Sequence, residues 1–206
     1  TKKDFIFIEA DLCDQGEISN IFKDHNFESV IHFASLKAIN DSCKMPLKYY
    51  ENNLNGTISL LKNMNEHNIK KLVYSSSASV YGDIKDPPVN EDLPTENPTN
   101  PYGMTKLIIE NILKDLYESD KDWSIASLRY FNPIGAHHSG LIGEDPVQPA
   151  TNIMPIICKT AAAKGSSLEI FGNDYNTKDG TAIRDYIHVE DLCAGHISAL
   201  EMISQE

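Results

Sequence analysis

The chain has 206 residues, of which 41% are hydrophobic and 23% are charged, so it can form one sizeable core and part of another in an ordinary soluble protein. Its net charge is −12 without a basic stripe, which excludes a typical nucleic-acid surface. No apolar run approaches the roughly 20 residues that a membrane helix needs. The sequence starts without methionine, and we expect it to be an internal fragment of a longer protein.

Cysteines and histidines give no sign of a metal or disulfide framework. The four cysteines are widely spaced without a Cys-x-x-Cys pair, which is typical of free thiols in a reducing cytoplasm. His137 and His138 are adjacent, but neighbouring residues rarely point the same way and no nearby Cys or spaced His completes a set. We therefore expect a loop at this pair, and no metal.

Short β-branched or aromatic runs alternate along the chain with longer helical patterns. The predicted strands are, in chain order, 5–8, 30–33, 72–74, 124–130 and 168–171, and the predicted helices pass through 18–22, 47–64, 108–116 and 189–202. Near-continuous apolar strands between amphipathic helices predict an α/β fold whose parallel sheet is covered on both faces. Right-handed crossovers then give a doubly wound, Rossmann-like sheet.

Ligands of such a sheet lie beyond the carboxyl ends of its strands. The polar residues after the predicted strands are Asp11, Ala34 to Lys37, Ser75 to Ser79, and Asn132 with Pro133. A generic α/β fold also places polar loops there, so position alone does not define a site. Asp14, with Glu17 three residues later, instead predicts a helix cap.

The sharpest local signal is Tyr102-x-x-x-Lys106 at the start of a predicted helix. This spacing puts both side chains on one helical face, although many surface helices contain the same pair. A neighbouring ammonium favours phenolate, so Lys106 is expected to lower the pKa of Tyr102 and to make it a general base. The serines around Ser77 follow a predicted strand. They could add a hydroxyl to this pair, or merely form a hydrogen-bonded turn.

The longer motifs of the chain resemble those of the UDP-glucose 4-epimerase family, within the extended short-chain dehydrogenase/reductase class. The resemblance runs almost from end to end. It is carried by the following strings: His32 to Ala38, Tyr49 to Thr57, Ser75 to Gly82, Pro101-Tyr102-Gly103 with Lys106, Leu128 to Pro133 with Gly135-Ala136-His137, Gly143 to Pro146, Ile170 to Tyr175, Asp179 to Thr181, and Arg184 to Val189.

The resemblance implies a role for each matching residue. Tyr102 would be the base, Ser77 its hydroxyl partner, and Lys106 the group that holds the nicotinamide ribose of NAD. The implied NAD-binding set also contains Asp11 and Leu12 at the adenine end, then Phe33, Ala34, Ser35, Leu36, Lys37, Asn52, Ser75 and Phe131. The implied UDP-sugar set contains Ser77 and Tyr102 with Asn132, Asn152, Phe171, Arg184 and Tyr186. Serine stands at position 35, where the family usually has glycine.

The resemblance also implies a domain division and an activity. Residues 1–133 would be the remainder of the NAD-binding domain, 134–183 part of the UDP-sugar-binding domain, and 184–206 a strand and helix returning to the first. The family's glycine-rich phosphate loop has no counterpart here, so the piece alone is expected to be inactive. The complete protein would epimerise UDP-glucose and UDP-galactose at C4 as a homodimer.

Three other interpretations stay open. A sugar-nucleotide 4,6-dehydratase would typically carry Asp-Glu after a threonine at position 77, where this chain has Ala78 and Ser79. An epimerase of another nucleotide sugar would share all the motifs. A non-catalytic protein of the same fold is the third interpretation, and the joint presence of Ser77, Tyr102 and Lys106 argues against it.

Overall fold

The computed structural model describes residues 5–84, 87–146, 150–163 and 167–205. The chain divides into two compact units. The first contains the described residues up to Arg129 and from Ala199 onward, and the second runs from Tyr130 to Ser198. The domain limits expected from the sequence, at 133/134 and 183/184, stay predictions.

Three parallel strands form the sheet of the first unit. Strands β1 (Val30–His32), β2 (Lys71–Ser75) and β3 (Ser124–Leu128) lie in the order β1-β2-β3. β2 is the central strand, and its residues Leu72, Val73 and Tyr74 are at most 1% exposed. A strand that is apolar on both faces needs cover on both sides.

Helices supply that cover. In the first unit, α1 (Gln15–Asp24), α2 (Ile39–Lys44), α3 (Pro46–Tyr50), α4 (Gly56–Glu66) and α5 (Pro101–Ser119) are joined by a π-helical turn at Glu51–Asn55 and a 3₁₀ turn at Ala78–Tyr81. In the second unit the chain passes from strand β4 (Asn132–Ile134) through α6 (Ile153–Ala162) to strand β5 (Tyr186–His188). Helix α7 (Val189–Gln205) follows β5, and its residues from Ala199 onward belong to the first unit. The single helix expected over 47–64 is therefore α3, the π turn and α4 in succession.

The two faces of the sheet have separate hydrophobic clusters. Leu72 and Tyr74 pack with α1, α4 and α5 in the larger cluster, which also contains Trp123. Val73, whose side chain points the opposite way, packs with Ala199 and Ile203 of α7. Helices on both faces of a parallel sheet confirm the predicted doubly wound α/β fold.

Two predicted strands are wrong. Phe5 to Ile8 are between 41% and 85% exposed, and in the described parts of the chain they pair with no strand. Ile170 and Phe171, which were expected in a strand over 168–171, are 75% and 90% exposed and lie outside any ladder of the described residues. A β-branched or aromatic run becomes a strand only when a neighbour pairs with its backbone.

The predicted cap of α1 is confirmed. Asp14 is the N-cap residue, and its carboxylate accepts a hydrogen bond from Glu17 N at 3.0 Å. The Glu17 carboxylate accepts from Asp11 N at 3.3 Å, so it holds the loop that precedes the helix. Among the helices of the described ranges, none has the length and apolarity to cross a membrane.

Candidate active site and dinucleotide cleft

The start of α5 positions the Tyr-Lys pair. Asn100 caps the helix by accepting a hydrogen bond from Gly103 N at 2.9 Å, and Pro101 occupies the first turn, where its missing N–H costs nothing. Tyr102 therefore lies in the first helical turn and Lys106 one turn later. Both side chains come together as the spacing predicts, because Lys106 Nζ is 5.8 Å from the centroid of the Tyr102 ring.

Lys106 is buried at the carboxyl end of β2. Lys106 is 3% exposed, and its Nζ donates a hydrogen bond to Ser75 O at 2.8 Å. The same nitrogen lies 5.0 Å from the centroid of the Tyr74 ring. Burial lowers the pKa of Lys106 to about 8, and the negative charge of Glu110 partly opposes that shift. A cation is thus held beside Tyr102 at the edge of the sheet where ligands bind.

Ser77 opens the 3₁₀ turn that follows β2. Its Oγ accepts a hydrogen bond from Ser79 N at 3.2 Å and lies 2.9 Å from Ser79 Oγ, so the local turn expected for a serine cluster is present. The first turn of α5 packs directly on this segment, since a Cβ at Gly103 would lie 3.0 Å from Ser79 O. The absence of a side chain at Gly103 therefore lets the segment of Ser77 approach the helix of Tyr102.

Asn53 connects the loop after β1 to α5, and the sequence analysis missed it. Its Oδ1 accepts from Leu36 N at 2.8 Å, and its Nδ2 donates to Leu36 O and Thr105 Oγ1, both at 3.1 Å. Thr105 Oγ1 in turn donates to Tyr102 O at 2.7 Å. Tyr49, which lies four residues earlier on the same side of the helical segment, is also buried, and this burial, which the sequence does not reveal, turns Asn53 rather than Asn52 to the interior.

A cleft of about 540 Å³ brings together five of the residues expected to bind NAD, namely Asp11, Leu12, Ala34, Ser35 and Asn52. This volume lies within the usual range of ligand pockets. The wall is close-packed at Gly56, where an added Cβ would lie 3.2 Å from Leu12 Cβ. Of the other expected residues, Leu36 is held by Asn53, whereas Phe33 and Lys37 are exposed.

The side chains of this cleft fit the sugar part of a dinucleotide. The carboxylates of Glu9, Asp11 and Glu17 line it and can accept hydrogen bonds from ribose hydroxyls. They would repel a phosphate, so the pyrophosphate of NAD needs another part of the protein. The residues present are therefore compatible with the adenosine end of NAD, as the resemblance implied.

His32 is a buried neutral group next to the site. It is 4% exposed, and its Nε2 is 2.9 Å from Thr57 Oγ1, which itself donates to Asn53 O at 2.7 Å. Because the proton of the Thr57 hydroxyl is used in the hydrogen bond to Asn53 O, His32 Nε2–H is the donor in the hydrogen bond to Thr57 Oγ1. Burial and the nearby charge of Lys106 lower the pKa of His32 to about 4.

We expect His32 to make the folded protein sensitive to acid. Its pKa is about 4 when folded and 6.5 in its ordinary state, so between these values the unfolded chain binds more protons. The free energy of unfolding should fall by up to about 1.4 kcal/mol per pH unit in this window as the pH is lowered. Urea unfolding of full-length protein and of the His32→Gln variant at several pH values measures this slope. An equal slope in both would contradict the assignment.

A charged network ties the end of β2 to α5 and β3. Ser76 Oγ donates to Glu110, and Arg129 donates to both carboxylate oxygens of Glu110, most closely from Nη2 at 2.7 Å. Arg129 Nη1 also donates to Tyr81 OH at 3.1 Å, and the hydrogen bonds to Glu110 raise the pKa of Arg129. Since Ser76 precedes Ser77, this network fixes the segment that carries the expected hydroxyl.

Replacing Glu110 by glutamine is expected to destabilise full-length protein by about 1–3 kcal/mol, less than a fully buried ion pair because the Arg129 side chain is 23% exposed. Glu118→Gln is the matched control on the same helix. It breaks the exposed Glu118–Lys121 pair, which should change stability little because solvent and salt screen this pair. Chemical unfolding compares the two variants, and similar losses would argue against a special role of Glu110.

The residues expected to bind the UDP-sugar all lie in the second unit, apart from Ser77 and Tyr102. Asn132 of β4 and Tyr186 of β5 are directly paired, and both Asn132 N and Nδ2 donate to Asp185 O. Arg184 precedes β5 with an exposed side chain. The structure thus brings Asn132, Arg184 and Tyr186 together at one end of a two-stranded parallel sheet.

The remaining expected residues of this unit lie on other segments. Asn152 precedes α6 and donates to Glu144 Oε1 at 3.4 Å, and Phe171 is 90% exposed. Phe131, which the sequence analysis assigned to the NAD set, directly precedes β4. Their roles stay predictions.

The sheet with helices on both faces, together with a tyrosine and a buried lysine one turn apart at the carboxyl end of its central strand, is the arrangement of the extended short-chain dehydrogenase/reductase class. Within that class the chain belongs to the NAD dependent epimerase/dehydratase family, whose model matches residues 1–206. This confirms the family indicated by the motifs.

Known relatives are identical to this chain at about half of the aligned positions. The chain is 53% identical over 203 residues to the UDP-glucose 4-epimerase of Bacillus subtilis (strain 168) and 55% identical over 203 residues to that of Dictyostelium discoideum. Each match covers 98% of this chain but only 60% and 59% of those proteins. A crystal structure of UDP-glucose 4-epimerase from Bifidobacterium longum in complex with NAD⁺ and UDP has a TM-score of 0.90 at 47% identity, covering 94% of this chain and 58% of that one.

Proposed function

We propose that the full-length protein containing this chain interconverts UDP-glucose and UDP-galactose by epimerisation at C4, with bound NAD as cofactor. The observation that carries the proposal is the buried ammonium of Lys106, 5.8 Å from the centroid of the Tyr102 ring at the carboxyl end of β2. Relatives over 50% identical bear the name of this activity.

Proton transfer belongs to Tyr102. Its phenolate accepts the proton of the sugar 4-hydroxyl, and the charge of Lys106 stabilises that phenolate. With its pKa at about 8, Lys106 is mainly protonated at neutral pH. Ser77 is the hydroxyl partner that orients the sugar oxygen, and the packing of Gly103 on Ser79 supports its nearness to the helix of Tyr102.

NAD would be held by the residues of the cleft. Asp11 and Leu12 would contact the adenosine end, and Ala34, Ser35 and Asn52, which also line the cleft, would contact NAD along the walls. The proposed set is completed by Phe33, Leu36, Lys37, Ser75, Ser77, Tyr102, Lys106 and Phe131. When bound, NAD would supply a hydride acceptor for C4 of the sugar, and return of the hydride to the sugar would regenerate the cofactor in each cycle.

The nucleotide of the substrate would bind in the second unit. Arg184 provides an exposed guanidinium, which suits a diphosphate because two N–H groups can bond it at once. Its Nη1 donates to Ile183 O at 2.7 Å, so the diphosphate would bind through the other N–H groups. Asn132 and Tyr186 flank it on paired strands, and Asn152 and Phe171 complete the proposed set. Binding through UDP lets the 4-keto hexose turn over while it remains tethered.

A dehydratase reaction needs a further acid and base next to Ser77. Ala78 is 8% exposed and has no ionisable group, and the Ser79 hydroxyl lies 2.9 Å from Ser77 Oγ. Neither position can protonate a departing hydroxide as a carboxylic acid would. This favours epimerisation over 4,6-dehydration.

In the decisive assay, full-length protein is incubated with UDP-galactose, NAD⁺ and a coupling enzyme that oxidises UDP-glucose with this NAD⁺. NADH should accumulate only when both proteins are present, because an epimerase regenerates its own NAD. A parallel reaction with UDP-N-acetylglucosamine measures the tolerance for N-acetylated sugars. Loss of water from the sugar without C4 inversion would instead establish the dehydratase.

We further propose a cytoplasmic homodimer. Free thiols at all four cysteines agree with a reducing compartment. The proposed dimer face consists of the helical segments 47–64 and 107–117, on which Leu47 is 81% exposed and Tyr117 is 43% exposed. A second copy covering these apolar groups would shield them from water. Light scattering of full-length protein should give twice the monomer mass.

A further inference from the structure

The adjacent histidines of the second unit lie side by side. The ring centroids of His137 and His138 are 4.1 Å apart with an angle of 35° between the planes. A tight loop holds them, since His137 N donates to Ile142 O and Gly140 N donates to His137 O, both at 2.9 Å. The expectation that neighbouring histidines point apart therefore does not hold in this loop.

A third potential ligand comes from a distant part of the chain. Glu190 lies in the first turn of α7, 52 positions after His138, and the pairing of β4 with β5 brings the two segments together. Its Oε1 is 2.7 Å from His138 Nδ1 and 3.7 Å from His137 Nε2. One nitrogen of each histidine and a carboxylate oxygen all lie within 4.8 Å of one another.

We propose that His137, His138 and Glu190 bind a divalent transition-metal ion, with Zn²⁺ as the expected ion. Two imidazole nitrogens and one carboxylate oxygen are a common donor set for Zn²⁺, whereas Mg²⁺ and Ca²⁺ prefer oxygen ligands throughout. The side chains are 42%, 78% and 38% exposed, so solvent can occupy the remaining coordination position.

The surroundings fit such a site. His137 Nδ1 accepts a hydrogen bond from Ser139 N at 3.2 Å and lies 2.7 Å from Ser139 Oγ, so the loop fixes the orientation of this ring with Nε2 on the side of Glu190. Two ligands of a tetrahedral Zn²⁺ are about 3.3 Å apart, as follows from bonds of about 2.0 Å. The present separations of 2.7 and 3.7 Å from Glu190 Oε1 bracket that value, and all three ligand atoms lie within 4.8 Å of one another, so side-chain movements of an ångström or two, on the order of the spread itself, would close the set.

The bound ion would fasten the loop after β4 to the first turn of α7. A ligand that binds only the folded state raises its stability. Zn²⁺ should therefore raise the melting temperature of the protein as well as bind to it. This inference does not depend on the proposed epimerase activity, because neither readout requires turnover.

The test titrates chelator-treated full-length protein with ZnCl₂ by isothermal calorimetry. One saturable site is expected, and His138→Ala and Glu190→Gln should each weaken it by at least about tenfold, which is the lower end of the effect seen when only an outer-shell partner is lost. Cys193→Ser is the matched control, because this exposed thiol three residues after Glu190 is another possible metal ligand. It should bind Zn²⁺ like the wild type.

Paramagnetic resonance of the Cu²⁺-loaded protein should show two coordinated imidazole nitrogens, reduced to one in His138→Ala. Absence of saturable Zn²⁺ binding would overturn the proposal and leave the cluster as a histidine–carboxylate ion pair. So would full binding in both ligand variants, or its loss in Cys193→Ser. The ligand side chains are exposed, and glutamine keeps the shape of Glu190, so folded variants are expected and circular dichroism checks this.

Discussion

Replacing Tyr102 by phenylalanine in the full-length protein is expected to abolish epimerisation while NAD binding persists. The substitution removes only the hydroxyl that would accept the 4-hydroxyl proton, and general-base catalysis alone accounts for about 10²–10⁴-fold in rate. The ring stays in place 5.8 Å from Lys106 Nζ, so the packing of α5 is retained. The coupled assay measures kcat, and the absorbance of denatured, deproteinised samples measures bound NAD.

Tyr117→Phe is the matched control for this experiment. Tyr117 lies on the same helix but is 43% exposed and away from the buried end of α5. Removing its hydroxyl should leave kcat unchanged. Near wild-type turnover in Tyr102→Phe would refute the assignment of the base, whereas loss of both NAD and activity would indicate a structural role.

Lys106 is expected to give the enzyme opposite pH dependences of activity and stability. Its pKa is lowered to about 8 by burial, so the ammonium that stabilises the Tyr102 phenolate is lost as the pH rises through about 8. Epimerisation should decline over that range. The unfolded chain keeps this proton up to about pH 10.5, so from about pH 8 upward it binds more protons than the folded chain and the free energy of unfolding increases.

Lys106→Met separates these effects. Methionine removes the charge and keeps much of the apolar volume, so activity should fall at neutral pH and the alkaline decline near pH 8 should vanish. The increase in stability above pH 8 should vanish as well. Lys114→Met, an exposed substitution on the same helix, should preserve both pH profiles. An unchanged alkaline decline in Lys106→Met would assign that titration to another group.

The alternation of apolar runs and helical stripes was enough to predict the central sheet and most helices. Local signals were also sufficient where they act within a few residues, as in the Asp14 cap and the pairing of Tyr102 with Lys106 across one helical turn. Such features depend on backbone geometry that is fixed by the spacing of residues in the chain. The family followed from motifs that run through the whole sequence.

Contacts between distant segments were decided by the tertiary structure alone. Residues 5–8 have a strand-like composition but no paired neighbour among the described residues, and Asn53 rather than Asn52 links the loop after β1 to α5. Glu190 meets His138 across 52 positions only because β4 and β5 pair. Sequence spacing determines which side chains share a face of one element, whereas strand pairing and the packing of elements determine which faces meet.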